Sequence, residues 1–351
     1  MDSNTPYSLH NLPVVIHHEC PAGTEERHSY LLDCLEQTVK YNANTVLIGS
    51  RNWEQQLPAG VTFVPAEELD SPRLQAFEAV YVDLAPYYGG HSLIFFRRLF
   101  LMETFMRKYG YRNMVLLDSD ILVYQDLSRF ERFLSCDFGC CIDEDQHFSP
   151  EDTQGLRWFA NCGISYWTLE ALDSFLGYCH DAYANHLDYL KTKLDYHITH
   201  NIPGGVTEMS LIYLWVRDTP GLRFYNMAIP ENGCAFNNSV WDARNYSNGE
   251  YIVNSKIRMK KFTFEAPDAM PTFYLTDGGK VHCYNIHFVG SAKAYMHDFR
   301  LYGSLTWRSR VKILTQEWLL HSLREFAHGD SPASKAVHTF GKGVKTILRL
   351  K

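Results

Sequence analysis

Met114-Val-Leu-Leu-Asp118-Ser119-Asp120-Ile-Leu-Val-Tyr124 is an apolar segment interrupted by two carboxylates one residue apart. The apolar flank is typical of a strand buried on both faces, as in the centre of an α/β sheet. Side chains alternate along an extended chain, so Asp118 and Asp120 are expected to project the same way. Two acids at a buried strand end repel each other and are costly to desolvate, and a divalent cation would offset that cost. Since Mg²⁺ and Mn²⁺ bind carboxylates together with phosphate oxygens, the stretch predicts a metal–diphosphate site, and a surface turn with two acids is the alternative.

Length and composition are those of a globular protein with a sizeable core. The chain has 351 residues, of which 46% are hydrophobic and 21% charged, and its net charge is −7. Basic residues are not massed except at the C-terminus, which argues against nucleic acid as a partner. No apolar run approaches the roughly 18 residues of a membrane-spanning helix, and there is no signal-peptide pattern. Nine scattered cysteines include no Cys-x-x-Cys pair, so we expect reduced thiols and a cytoplasmic location.

The first 65 residues predict a β-α-β unit and hence a parallel sheet with a right-handed crossover. Strands are expected at 12–18 and 45–48, joined by a helix that Thr24 caps. No Gly-x-Gly-x-x-Gly follows the first strand, which removes the usual dinucleotide fingerprint. Ligands bind at the carboxyl ends of such strands, where His17-His18-Glu19 stands. These residues could line a base pocket or could be ordinary loop residues.

A long amphipathic helix is expected to precede the acidic stretch. It begins after its cap, Ser92, and runs to about residue 109 with apolar residues at helical spacing. Arg97 and Arg98 interrupt that apolar surface. We expect one of them to point to solvent or to an acid, and the other to reach the end of the acidic strand, where an arginine fork suits a phosphate.

Small and polar residues after the acidic stretch supply further candidates. Asn161 offers both a donor and an acceptor, and Gly163 lets a ligand approach the backbone closely. Glu208 lies in the first turn of an apolar helix that follows Gly204-Gly205. An acid at this position either complements the helix dipole or faces a site across the glycine-rich entry.

A last strand is expected at 281–290, after a region of loops and short strands at 231–280. His287, Gly290 and Lys293 follow one another at intervals of three residues. Neutral imidazole can complete the coordination of a cation. Glycine lets the chain pass close to a phosphate, and lysine pairs with the phosphate charge.

The C-terminal tail, residues 331–351, carries five basic residues and no acid, with apolar residues interleaved. This composition predicts peripheral contact with anionic lipid. A frayed, soluble basic tail is the alternative.

Three blocks, taken together, resemble glycosyltransferases of the GT-A type. In particular they are similar to family 8, the glycogenin-like enzymes and the lipopolysaccharide galactosyl- and glucosyltransferases. Arg98 with residues 117–123 matches that family's Asp-x-Asp block and its preceding arginine. Asn161-Cys-Gly163 matches its Asn-Ala-Gly, and His287-Phe-Val-Gly290-Ser-Ala-Lys293 matches its His-Phe-x-Gly-x-x-Lys. The resemblance implies a Rossmann-like α/β fold with a central, mostly parallel sheet flanked by helices.

The resemblance also implies a role for each matching residue. The ligands of Mn²⁺ or Mg²⁺ would be Asp118, Asp120 and His287. The residues that bind the nucleotide-sugar donor would be Arg98, Ser119, Gly163, His287, Gly290 and Lys293. The catalytic residues would be Asp118, Asp120, Asn161 and Lys293, and Glu208 is a further catalytic candidate at a position where the chain departs from the family. The metal and Lys293 would stabilise the leaving diphosphate, an electrostatic form of catalysis.

The implied function is transfer of a hexose from a UDP-sugar to a saccharide or glycan acceptor with retention of configuration. The acceptor hydroxyl would attack from the face that UDP leaves, and a β-phosphate oxygen would help to take its proton. The implied catalytic domain covers residues 1–300, with a donor half at about 12–145 and an acceptor half at about 146–300. A helical extension with the basic tail would follow at 301–351.

The chain departs from the family pattern at three places. Thr207-Glu208 stands where the family has Asp-Gln, and Ala294-Tyr295 stands where it has Pro-Trp. The uracil-binding residues have no clear counterpart in His17-His18-Glu19. The nucleobase and the acceptor-side chemistry are therefore less closely defined than the metal and the diphosphate.

Other classes of protein share part of the pattern. A non-catalytic module that binds a nucleotide sugar or a glycan is one alternative. An Asp-x-Asp phosphatase is another, although such enzymes have Thr or Val where Leu122 stands. A sugar-1-phosphate nucleotidyltransferase would need an early glycine-rich loop with a basic residue, which this sequence lacks.

Overall fold

The computed structural model describes residues 8–90, 92–144, 156–254, 257–266 and 269–309. The tail at 331–351, for which we predict lipid contact, and most of the predicted extension at 301–351 lie outside these ranges. The helices are α1 (Tyr30–Tyr41), α2 (Pro72–Val80), α3 (Leu93–Tyr109), α4 (Leu169–Asn185), α5 (Leu187–Thr199), α6 (Glu208–Asp218) and α7 (Met296–Tyr302). The strands are β1 (Val14–His18), β2 (Thr45–Gly49), β3 (Val61–Pro65), β4 (Asn113–Leu117), β5 (Ile121–Val123), β6 (Phe138–Cys141), β7 (Asn161–Thr168), β8 (Phe224–Asn226), β9 (Cys234–Ala235), β10 (Val253–Asn254), β11 (Met259–Lys260), β12 (Phe262–Thr263), β13 (Thr272–Tyr274), β14 (Lys280–Cys283) and β15 (Asn285–His287).

A seven-stranded sheet forms the centre of the molecule, in the order β3-β2-β1-β4-β7-β6-β8. Strands β1 to β4 are parallel to their neighbours within this group, and β6 is parallel to β8. Strand β7 runs antiparallel to both β4 and β6. The predicted fold class, a mostly parallel sheet flanked by helices, is confirmed.

Both faces of the sheet are buried, which explains the uninterrupted apolar runs of β1 and β4. Val115 and Leu117 pack into the core on one face, to which α1 and α7 contribute. Met114 and Leu116 pack into the core on the other face, to which α2, α3, α4 and α6 contribute. Because successive side chains of a strand point to opposite faces, both faces of β4 have to be apolar, and the strand is apolar at every position after Asn113.

The last predicted strand is in fact two strands in two sheets. The expectation of one strand over 281–290 is wrong, because the chain changes partners at Tyr284. There the backbone N–H donates to the carbonyl of Ala235, and the carbonyl accepts from the N–H of Tyr124. Strand β14 therefore belongs to a four-stranded sheet, whereas β15 pairs antiparallel with β5. This pairing sets His287 opposite Ile121, next to the acidic turn.

Two helices lack the predicted N-cap hydrogen bond, because the side chain expected to cap each of them bonds to another group. The Thr24 hydroxyl donates to the carbonyl of Pro21, and a 3₁₀ helix, Glu25–His28, precedes α1. Helix α3 has the predicted bounds, but the Ser92 hydroxyl bonds to Asp83 and Tyr81 instead of capping it. Within the described ranges, no helix has both the length and the apolar character that crossing a membrane requires.

Candidate active site

A turn between β4 and β5 presents the two acids of the opening stretch. The N–H of Asp118 donates to the carbonyl of Gly163 at 2.6 Å, and the N–H of Ile121 donates to the carbonyl of Asp118 at 3.3 Å. The expected extended geometry is thus wrong, because the chain turns at Ser119 and Asp120. Their carboxylates still converge, since both face the imidazole of one histidine on β15.

His287 completes a three-residue cluster with the two acids. Its Nε2 lies 3.2 Å from Oδ1 of Asp120 and 3.7 Å from Oδ2 of Asp118. Its Nδ1 lies 2.8 Å from the backbone carbonyl of Asn238 and donates to it, so Nε2 faces the acids. One ligand atom from each of the three side chains lies within 4.8 Å of the others. The predicted ligands of a divalent cation are therefore brought together.

Charged neighbours determine how Asp120 and His287 ionise. Burial favours the neutral carboxyl of Asp120, but the charges of His287 and Lys293 outweigh burial and lower its pKa. Burial likewise disfavours the imidazolium of His287, and the Asp120 carboxylate outweighs it and raises the pKa. Asp120 and His287 thus hold each other in their charged forms and make an ion pair.

Lys293 lies on the open side of the cluster. Its ammonium is 3.0 Å from Oδ2 of Asp120 and 4.8 Å from the centre of the Tyr30 ring. Its side chain keeps 33% of its exposure, against 7% for Asp120. A partly exposed cation beside two carboxylates can pair with a second anion that approaches from solvent.

Arg98 lies behind the acids and is buried. One nitrogen of its guanidinium donates to Asp118, and another lies 3.1 Å from Oε1 of Glu208 and 3.2 Å from Sγ of Cys162. Its predicted contact with the donor remains a prediction, because in this structure its fork faces two carboxylates. Arg97, in contrast, pairs with Asp70 at the surface. The expectation that one of the two neighbouring arginines points to an acid at the surface is confirmed for Arg97.

Glu208 is 2% exposed at the start of α6. Burial raises the pKa of its carboxyl, and the positive charge of Arg98 only partly opposes this effect. Its Oε2 is buried without a hydrogen-bond partner among the described groups. Glu208 therefore contacts the acidic turn through Arg98, while its catalytic role stays a prediction.

Gly163 is required by the close approach of β7 to the cluster. A Cβ at this position would lie 2.5 Å from Cε1 of His287 and 2.9 Å from Oδ2 of Asp118. Asn161 fixes the backbone here, because its Oδ1 accepts from the N–H of Gly163 at 3.0 Å and its Nδ2 donates to the carbonyl of Asn238 at 2.9 Å. Both residues of the predicted Asn-x-Gly block thus adjoin the cation ligands.

Two further predicted residues have partners within the protein. The Ser119 hydroxyl lies 2.9 Å from Nδ1 of His18. Gly290 has a positive φ of 62°, and a Cβ there would lie 3.0 Å from the Trp241 ring, so the turn after β15 requires glycine. The roles of Ser119 and Gly290 toward a diphosphate remain predictions.

Sequence reasoning missed Asn238 and Tyr30. The carbonyl of Asn238 accepts from both His287 and Asn161, and so links β15 to β7. A sequence motif could not indicate Asn238, because the contacts are made by its backbone carbonyl, which every residue type has. Tyr30 could not be singled out, because it is one of many aromatic residues. Asn237 and Asn245 each begin an Asn-x-Ser sequence, the acceptor pattern for N-glycosylation. Both side chains are fully buried and hydrogen-bonded within the protein.

Comparison with solved structures finds distant similarities to glycosyltransferases. Mouse xyloside xylosyltransferase 1 is 15% identical, with 61% of this chain and 84% of that chain covered and a TM-score of 0.38. The galactosyltransferase LgtC in complex with donor and acceptor sugar analogues is 13% identical, with coverages of 62% and 74% and a TM-score of 0.33. WbbM, a bifunctional glycosyltransferase, is 12% identical, with coverages of 68% and 41% and a TM-score of 0.38.

Each of these three proteins is named as a glycosyltransferase. At these identities and TM-scores the similarities do not identify a donor, an acceptor or a metal for this chain. No protein-family model and no curated protein matches it.

Proposed function

We propose that this protein is a metal-dependent glycosyltransferase that moves a hexose from a UDP-sugar to a saccharide or glycan acceptor, with retention of configuration. The observation that carries the proposal is the convergence of Asp118, Asp120 and His287 beside the cation of Lys293. Two carboxylates and one imidazole form a site for a divalent cation, and an adjacent ammonium adds charge for the rest of a diphosphate.

The side chains fit a divalent cation such as Mn²⁺ or Mg²⁺. Two carboxylate charges match the charge of the ion, and the hydrogen bond to Asn238 fixes the imidazole so that Nε2 faces the ligand oxygens. When bound, the ion would neutralise charge on the leaving diphosphate. Manganese is the ion that the sequence resemblance implies.

The protein's own residues would position the donor and stabilise its leaving group. Lys293 would donate to the diphosphate as negative charge grows on it, and Gly163 would leave space next to the cation ligands. The bond between the acceptor oxygen and the anomeric carbon forms as the bond from that carbon to the diphosphate oxygen breaks. The acceptor proton passes to an oxygen of the leaving phosphate. Asn161 would hold β7 against this site.

Residues 1–300 would form the catalytic domain, with the donor half before about residue 145. All nine cysteines are unpaired, which supports a reducing, cytoplasmic location. The basic tail would add peripheral contact with the cytoplasmic face of a membrane. Deletion of residues 331–351 should then weaken binding to anionic liposomes without changing donor hydrolysis, whereas unchanged liposome binding would refute that contact.

The first experiment is calorimetric titration of UDP into the full chain, with Mn²⁺ and then with EDTA. We expect binding that requires the metal. Asp120→Asn should abolish it, and Asp70→Asn, which alters a surface acid paired with Arg97, should leave it intact. UDP binding that survives Asp120→Asn would refute the metal assignment.

Measurement of turnover distinguishes a glycosyltransferase from a non-catalytic binding module and from a phosphatase. A glycosyltransferase should hydrolyse one UDP-sugar slowly when acceptor is absent, and this hydrolysis should stop in the Asp120→Asn variant. Metal-dependent UDP binding without hydrolysis or transfer of any UDP-sugar would favour a non-catalytic binding module. Hydrolysis of simple phosphate monoesters would favour a phosphatase.

A further inference from the structure

A second cluster of metal-ligating side chains lies at the carboxyl end of β1. It consists of His18, Cys20 and His28, whose ligand atoms lie within 4.8 Å of one another. His18 ends β1, Cys20 lies in the loop that follows, and His28 ends the 3₁₀ helix before α1. Among the described residues this cluster and the Asp118–Asp120–His287 cluster are the two groups with such spacing.

The geometry of the two imidazoles is close to that of metal ligands. Nε2 of His18 lies 3.1 Å from Nδ1 of His28. Two nitrogens bound to one tetrahedral Zn²⁺ lie about 3.4 Å apart, which follows from zinc–nitrogen bonds of about 2.0–2.1 Å. An N–H···N hydrogen bond accounts for this approach while no ion is bound. A cation would replace the shared proton with little movement of either ring.

The sulfur of Cys20 makes this cluster a group of soft metal ligands. The amide Nδ2 of Asn52 lies 3.5 Å from Sγ of Cys20, where it can donate to the thiolate. A thiolate with two imidazoles selects Zn²⁺ and similar ions over Mn²⁺ and Mg²⁺, which prefer oxygen ligands. Cys20 and His18 are buried, whereas His28 is half-buried. An ion therefore has a route to the cluster from the side of His28.

One hydrogen bond connects this cluster to the acidic turn. Nδ1 of His18 lies 2.9 Å from the hydroxyl of Ser119, the residue between the two acids. If Nε2 of His18 binds a cation, Nδ1 carries the proton and donates to Ser119. That contact orients the imidazole, as the outer hydrogen bond of a metal-bound histidine usually does.

We propose that His18, Cys20 and His28 form a binding site for a zinc-class transition metal, distinct from the Asp118–Asp120–His287 site and with a fourth position open to water or a ligand. This proposal does not depend on the proposed glycosyltransferase activity. It rests on the ligand types, their mutual distances and the hydrogen bonds of Ser119 and Asn52.

Cobalt(II) is the probe for the site, because a bond from thiolate to Co²⁺ gives a charge-transfer band in the near ultraviolet. Titration of the full chain with Co²⁺ should produce this band at one equivalent. The Asp120→Asn variant should keep it, since the acidic cluster contains no sulfur. Cys20→Ser should lose it, whereas Cys234→Ser, at a half-buried cysteine outside the cluster, should keep it.

His28→Gln provides a second variant at a half-buried position. It should weaken Co²⁺ binding by more than about 100-fold, because loss of an outer hydrogen-bond partner of a metal ligand already costs about 10- to 100-fold and His28 is a ligand itself. Zn²⁺ should displace Co²⁺ and remove the band, and Mn²⁺ should not. Circular dichroism checks that each variant is folded. Absence of the band in the unaltered protein, or its survival in folded Cys20→Ser, would overturn the proposal.

Discussion

Gly163 lies so close to His287 that a Cβ on the glycine would be 2.5 Å from Cε1 of the imidazole. The same Cβ would be 2.9 Å from Oδ2 of Asp118. Its backbone φ is not in the left-handed region, so glycine is required here for space and not for conformation. Strand β7 thus approaches the cation ligands as closely as a backbone without a side chain allows.

Gly163→Ala should therefore weaken Mn²⁺ binding, because the added methyl must displace His287 or Asp118 from its position. We expect a loss of at least about tenfold, the scale on which the surroundings of a metal site affect affinity. Calorimetry with Mn²⁺ measures the change. Gly177→Ala is the matched control, since a Cβ there would lie 3.7 Å from its nearest neighbour, Arg73, and is expected to leave affinity unchanged. Equal Mn²⁺ affinity in folded Gly163→Ala would contradict the assignment.

Lys293→Met should separate nucleotide binding from metal binding. The ammonium of Lys293 pairs with Asp120 at 3.0 Å and so competes with a cation for that carboxylate. Its removal should leave Mn²⁺ affinity unchanged or raised. The affinity for UDP with Mn²⁺ should fall roughly 10- to 100-fold, as expected for a lost hydrogen bond between charged groups.

Calorimetry with Mn²⁺ alone and then with UDP tests both parts of this prediction. Lys280→Met, at an exposed position of β14, is the control. His287→Gln should show the opposite pattern, with the loss already present in Mn²⁺ binding. If Lys293→Met lost Mn²⁺ affinity as severely as His287→Gln, Lys293 would be acting on the cation site and not on the diphosphate.

The features predicted from sequence are those that a local pattern determines. Strand β4 could be predicted because its neighbours bury it on both faces, which requires an uninterrupted apolar run. The bounds of α3 could be predicted because Gly110, in the left-handed conformation, ends the apolar periodicity. The acids, His287 and Lys293 could be found because the chemistry of a divalent cation and a diphosphate calls for those residue types.

The features that were not predicted depend on partners distant in sequence. The break at Tyr284 requires β5 and β9 to be in place on either side. The orientation of His287 depends on a carbonyl at Asn238, to which any residue type could contribute. The pairing of Arg98 with Glu208 could not be predicted, because the two residues are 110 positions apart and meet only when the fold brings the start of α6 next to α3.

Arg98→Met should destabilise the fold strongly. Its guanidinium is the donor to Glu208 and also pairs with Asp118, so its loss leaves a buried carboxylate without a counter-charge. We expect a decrease of about 3–5 kcal/mol in the free energy of unfolding, the scale for breaking a buried ion pair. Urea denaturation measures it. Arg97→Met, the adjacent arginine with a surface partner, should cost no more than about 1 kcal/mol. Similar losses in the two variants would show that the Arg98 contacts contribute little.

Glu208→Gln should alter how stability depends on pH. Burial raises the pKa of Glu208 in the folded protein above its ordinary value of 4.5. Between these two pKa values the folded state binds more protons than the unfolded state, so this group makes stability fall as pH rises. The glutamine variant lacks that fall. Relative to it, the unaltered protein should lose stability from pH 4.5 upward and reach a constant difference above the folded pKa. Urea unfolding of both proteins from pH 4.5 to about 8 measures this difference in stability. The contributions of the other ionisable groups cancel in the difference. A relative gain in stability over the same range would mean that the charge of Arg98 outweighs the burial of Glu208.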